Sequence, residues 1–108
     1  MAITVNIYYA GHGGTAHSFA REMVSRGIVD AIRSEEGNLR YEYFTPMDDP
    51  ETVLLIDSWK DQAALDRHHS TPMMDQIIRL REKYDLHMRV ERYVSKETPA
   101  SDHGFIRE

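Results

Sequence analysis

Apolar and polar positions alternate at the start of the chain, where Ile3, Val5, Ile7 and Tyr9 are interleaved with Thr4, Asn6, Tyr8 and Ala10. A period of two puts each set on its own face of a strand, which predicts β-structure to about Ala10, ended by Gly11-His12-Gly13-Gly14. The period then lengthens. Ala16, Phe19, Ala20, Met23, Gly27 and Ala31 recur at three- and four-residue spacing, and Val24, Ile28 and Ile32 widen the stripe. This predicts one amphipathic helix, capped by the Thr15 hydroxyl and running to about Arg33. Gly27 inside it costs up to about 1 kcal/mol relative to alanine, which close contact between helix and sheet would explain.

Gly37 supplies the next turn, after which Leu39, Tyr41 and Tyr43 alternate with Arg40, Glu42 and Phe44 in a second strand stopped by Pro46. Thr52 to Trp59 reads as a third strand, apolar on both faces through Val53-Leu54-Leu55-Ile56, and pairs with the second as a hairpin. Asp61 opens a helical segment through His69, and Ser70-Thr71-Pro72 restarts it with Thr71 as cap and Pro72 in the first helical position. Met73, Met74, Ile77, Ile78, Arg81 and Tyr84 form the inward stripe of that second segment. Leu86, Met88 and Val90 then alternate with His87, Arg89, Glu91 and Tyr93 in a last strand, and residues 95–108 form a polar tail beyond a single domain of residues 1–94.

The order βαββαβ implies an α+β, ferredoxin-like domain: a four-stranded antiparallel sheet with its helices on one face. A chain of 108 residues makes one core, and the helix-free face needs a cover, for which a second copy of the chain is the simplest candidate. A homodimer forming an α/β barrel is therefore expected. The net charge of -5 without any basic run argues against nucleic acid as a partner. Zero cysteines remove disulfides and thiolate metal ligands, and no apolar run approaches the roughly 20 residues of a membrane span, so a cytoplasmic location is the expectation. His12 and His17 lack the helical i, i+4 spacing of a metal pair, and the glycines at 11, 13 and 14 lack the spacing of a phosphate loop. Neither a metal nor a nucleotide cofactor is expected.

Several short motifs stand in that order of elements. Glu36-Gly37-Asn38-Leu39-Arg40-Tyr41-Glu42 opens the second strand, Trp59 closes the third, Ala64-Leu65-Asp66-Arg67-His68 lies in the following helix, and Pro72 follows its break. Together they resemble the antibiotic biosynthesis monooxygenase family of small cofactor-independent oxygenases, over about residues 3–94. Asp57 departs from the glutamate usual two positions before the tryptophan and is one methylene shorter. The family includes quinol monooxygenases, oxygenases of polyketide aromatics, haem-degrading enzymes and a branch that processes a phosphorylated signalling metabolite. The haem branch binds iron through a histidine where this chain has Ile77 and Ile78, so the resemblance implies no haem.

A cofactor-free oxygenase needs a dry cavity, a base to draw a proton from an electron-rich substrate, and donors for the resulting oxyanion. On that basis His68, Trp59 and Tyr43 are the catalytic candidates, with His68 as base. Asn6, Tyr41 and Asp57 are candidates for binding the substrate. His69, adjacent in the helix, points about 100° away and is expected in solvent. The resemblance implies a monooxygenase taking O2 and a quinol or other small aromatic or enolic substrate. An isomerase-like enzyme acting on a phosphorylated metabolite, or a non-catalytic module that binds a small molecule, is the alternative.

Overall fold

The computed structural model describes all residues, Met1–Glu108. Four strands, β1 (Ile3–Ala10), β2 (Asn38–Phe44), β3 (Thr52–Trp59) and β4 (His87–Val94), form one sheet in the order β2-β3-β1-β4. All three pairings are antiparallel. This is the expected ferredoxin-like α+β arrangement, with β1 and β3 central. In register, Val5 lies between Asp57 and Arg92, and Ile7 between Leu55 and Val90. The odd-numbered side chains of β1 and β3 therefore share one face with Tyr41 and Tyr43 of β2.

Four helices cover that face: α1 (Thr15–Ser25), α2 (Ile28–Arg33), α3 (Gln62–His69) and α4 (Met73–Lys83). Tyr9, Phe19, Met23, Ile32, Leu55 and Trp59 are fully buried between sheet and helices. The opposite face carries Tyr8, Leu54, Ile56, Phe44 and Tyr93, with the last two exposed. Met88 and Val90 of β4 turn toward the helix side but are 43% and 53% exposed, because the helices leave this edge uncovered. No helix is long and apolar enough to cross a membrane.

The expected single first helix is two. Gly27 takes φ +76° between α1 and α2, a left-handed conformation in which no side chain would meet an obstacle, so it breaks the helix and is not a point of close packing. Thr15 does not cap α1 either. Gly14 holds that position, and the Thr15 hydroxyl accepts from the His12 N–H instead. Thr71 likewise donates its hydroxyl to the His68 carbonyl, at the end of α3, while Pro72 occupies the cap position of α4. Asp61 does cap α3, accepting the Ala64 N–H at 2.8 Å. On α4 the inward position expected for Ile78 belongs to Leu80: Ile78 is 43% exposed and Leu80 only 3%. The tail runs out through a short 3-10 turn at Ala100–Phe105, all of it exposed.

Candidate functional site

Asp57 and Trp59 are two apart on β3, so both side chains point to the helix face, and the Trp59 Nε1–H donates to Asp57 Oδ1 at 2.7 Å. Both are buried. Helix α3, started by the Asp61 cap directly after this strand, lays His68 over the indole: the rings stack with centroids 4.8 Å apart and 27° between planes. The far side of the imidazole meets the loop between α2 and β2, where Nδ1 lies 2.7 Å from Glu35 Oε2. Gly37 brings that loop in. It adopts φ +86°, and a Cβ there would stand 2.6 Å from the Ala64 Cβ of α3. Glu35, His68, Trp59 and Asp57 thus form one continuous polar and aromatic column through the core.

The column ends at a cavity of about 280 Å³ between the sheet and helices α3 and α4. Val5, Ile7 and Val90 give it an apolar floor, and Leu65 and Met74 an apolar roof. Its polar lining is Asp57, His69, Arg81 and Arg92. Burial pushes the Asp57 carboxyl up from 3.8 to about 7, with the Trp59 N–H acting against the rise, the Glu35 charge adding to it and the Arg81 charge opposing it. Loss of hydration lowers His69 from its ordinary value, helped by His68. Arg81 Nη2 donates to the Tyr9 hydroxyl at 2.9 Å, and Arg92 donates to the Gln62 side-chain oxygen.

Of the residues chosen from sequence, Asp57, Trp59 and His68 are brought together, and Tyr41 is the cross-strand neighbour of Asp57. Only Asp57 of these lines the cavity; His68 stands behind Trp59 and does not reach it. Its neighbour His69, expected in open solvent, stands at the cavity's mouth, exposed yet part of the lining. Tyr43 lies further along β2 against Phe19, its hydroxyl buried without a hydrogen-bond partner. Burial raises the pKa of Tyr9, Tyr41 and Tyr43 alike, which keeps all three protonated. Asn6 belongs to the other side of the sheet: it alternates with Val5 and Ile7, pairs with Ile56 and Glu91, and so cannot share this cavity with Asp57. Glu35, Arg81 and Arg92 were not among the sequence candidates. Arg81 did leave a signal, as the one charged residue in the apolar stripe of α4.

No three histidine or acidic side chains converge in a way that could hold a metal ion. The fold and the site define a ferredoxin-like α+β domain with a small, mostly apolar cavity, a carboxyl held near neutrality and arginine at its wall. The chain belongs to the antibiotic biosynthesis monooxygenase family, whose model matches residues 2–80. A relative, YcnE of Bacillus subtilis (strain 168), named as a candidate monooxygenase, is 34% identical over 47 residues, 44% of this chain and 50% of that protein. The chain thus spans half of YcnE, and a match to sll1783 of Synechocystis covers 37% of that protein at 27% identity. Among solved structures, PA3566 of Pseudomonas aeruginosa is similar with a TM-score of 0.74 and 26% identity, covering 89% of this chain and 95% of that one. SnoaB of Streptomyces nogalater, a cofactor-independent oxygenase, shares the fold at a TM-score of 0.74 and 14% identity, covering 92% of this chain and 97% of its own.

Proposed function

We propose that the protein is a monooxygenase that works without flavin, haem or metal and oxidises a quinol or another small electron-rich aromatic or enolic compound with O2. The observation that carries this reading is Asp57, a cavity-lining carboxyl raised to about 7 by burial. A base with a pKa near the working pH combines an adequate ionised fraction with real proton affinity, the condition for efficient general-base catalysis. Membership of the family supports the class of reaction.

In this reading Asp57, not His68, takes the phenolic proton, since it alone of the two faces the cavity. The positive charge that Arg81 and Arg92 place on the cavity wall favours the anion that forms, and Val5, Ile7, Leu65 and Met74 give the ring an apolar setting. The substrate anion passes one electron to O2, and the resulting radical pair joins at a ring carbon to give a peroxide. Loss of water from that hydroperoxide leaves a carbonyl. For a quinol the balance is quinol plus O2 giving hydroxyquinone plus water: one oxygen atom stays on the ring, the other leaves with two substrate hydrogens, and the substrate supplies every electron. Trp59 and the Glu35–His68 pair hold Asp57 in place from behind.

We also propose that the protein works as a homodimer in which a second copy covers Tyr8, Leu54, Ile56 and Phe44 on the helix-free face, because such a contiguous apolar surface is seldom left in water. The test of function is oxygen uptake by purified protein with a panel of one- and two-ring quinols, followed by product mass. Uptake of one O2 per quinol with a gain of one oxygen atom and a loss of two hydrogens is expected, reduced about 10² to 10⁴-fold in Asp57→Asn. Uptake that the variant does not lower would refute the assignment of the base, no uptake with any quinol would refute a quinol substrate, and no uptake with one- and two-ring phenols and enols either would refute the reading.

A further inference from the structure

Arg81 is poorly provided for. It sits half-buried on the inward side of α4, beside the buried Ile77 and Leu80, where a cation is costly unless it is paired. A guanidinium has five N–H donors, yet the protein supplies one acceptor, the Tyr9 hydroxyl at 2.9 Å. Its Nε is sealed from solvent with no partner, and none of the salt bridges includes it, the Asp57 carboxyl acting on it only across a longer distance. The Tyr9 ring lies 5.5 Å from the guanidinium carbon and stabilises the charge only from one side. Across the cavity Arg92 projects from β4, tied by Gln62. The lining therefore holds two guanidinium groups against one carboxyl, Asp57, in a chain whose net charge is -5. A positively lined pocket in an acidic protein concentrates small anions.

Size narrows the choice. An apolar cavity of about 150 Å³ holds one benzene, so one of about 280 Å³ seats one or two rings within its walls. With Asp57 ionised, two arginines and one aspartate leave a single positive charge, which matches a monoanion. Planar guanidinium groups engage carboxylate oxygens through parallel N–H bonds.

We propose that the cavity selects one- or two-ring aromatic substrates bearing a carboxylate, and that Arg81 is the residue that receives it. This inference rests on the reading of the cavity as the substrate site. Asp57 stays free for the reacting hydroxyl, while the carboxylate is held at the α4 wall and fixes which ring position faces the base. Neutral quinols of the same size remain substrates of lower affinity.

Binding under argon tests the inference without turnover. Isothermal titration would use 2-naphthoate, its neutral counterpart 2-naphthalenemethanol, and 2-naphthyl phosphate, none of which carries an oxidisable hydroxyl on the ring. Wild-type protein should bind the carboxylate at least about tenfold more tightly than the alcohol. Arg81→Gln should remove that preference, bringing the two affinities together, and Arg81→Lys, which keeps the charge and the side-chain bulk, should retain part of it. Should Arg81→Gln fail to fold, Arg81→Lys and the three-ligand comparison on wild type still decide. Equal binding of carboxylate and alcohol, a carboxylate preference that survives in the folded Arg81→Gln protein, or a phosphate bound more tightly than the carboxylate would each overturn the proposal. These ligands consume no oxygen, so that failure would leave the oxygenase reading standing, while absent oxygen uptake would not touch the binding result.

Discussion

Replacing Asp57 by asparagine separates the chemistry of the site from its energetic cost. In the folded chain the carboxyl titrates at about 7 against an ordinary 3.8. Between those values the folded protein keeps a proton that the unfolded chain has released. The sign follows: this group's contribution is most favourable below the unfolded pKa and declines as pH rises, until the folded carboxyl has itself ionised. About two pH units of that decline fall between pH 5 and 7, and at about 1.36 kcal/mol per unit they amount to about 3 kcal/mol. Asparagine cannot ionise and escapes the decline, while its side-chain oxygen still accepts the Trp59 N–H. Its new N–H2 costs about 1–3 kcal/mol if left without an acceptor, but equally at every pH. The measured quantity is therefore the stability of Asp57→Asn minus that of wild type, by urea denaturation at pH 5 and pH 8. Titrating groups not coupled to Asp57 cancel in it, including His69, whose lowered pKa acts in the opposite sense. The difference should move by about 3 kcal/mol in favour of the variant between the two pH values, equivalent to about 4–8 °C in Tm per kcal/mol for a domain of this size. A difference that does not change with pH would show that the carboxyl is not held near neutrality, which would rule Asp57 out as the base.

Three further outcomes follow from the same contacts. Light scattering should give about twice 12.6 kDa, and Ile56→Glu, which places a charge on the open sheet face, should shift the protein to a monomer; a wild-type monomer would refute the dimer. Glu35→Gln should lower stability by about 1–3 kcal/mol, through the weakened contact to His68, and reduce kcat more than it changes KM; unchanged kinetics would mean that the pair serves packing alone. Gly37→Ala should destabilise by more than about 1 kcal/mol in thermal denaturation, because φ +86° disfavours a side chain and the added Cβ would meet Ala64 at 2.6 Å; a neutral effect would mean that the loop can move away from α3.

The order of elements was legible because hydrophobic period is a local property. The switch from two to three-and-a-half residues after Gly14, and back again at Leu39, reports which faces are buried without any knowledge of what buries them. Breaks and caps depend on finer detail. Gly27 lies within a continuous apolar stripe, so the pattern alone runs through it, and only its left-handed backbone divides α1 from α2. Thr15 and Thr71 have the right residue type for caps, but each hydroxyl finds another partner, His12 N–H and His68 carbonyl. Ile78 and Leu80 differ by two positions on one helix, and the angle at which α4 lies across the sheet decides which of them turns inward.

The candidate site divides along the same line. Asp57 and Trp59 meet because a strand puts residues two apart on one face, and His68 joins them because α3 begins directly after that strand, so all three could be found from local sequence. Asn6 was separable by the same rule, since a residue between Val5 and Ile7 must face the other way. The cavity itself comes from an omission that no local pattern encodes: four helices cover β2, β3 and β1 but leave the β4 edge bare, so Met88 and Val90 stay half exposed and room remains beneath α3 and α4. Arg81 and Arg92 acquire a role only when that gap exists. The stripe of α4 nevertheless held the hint, for a charge placed among Ile77, Leu80 and Tyr84 needs a reason, and a lone hydroxyl from Tyr9 is too small a reason for a guanidinium. An anion entering the cavity would complete the pairing that the protein leaves open, which is why the binding experiment on Arg81 bears on the substrate more directly than any comparison of folds.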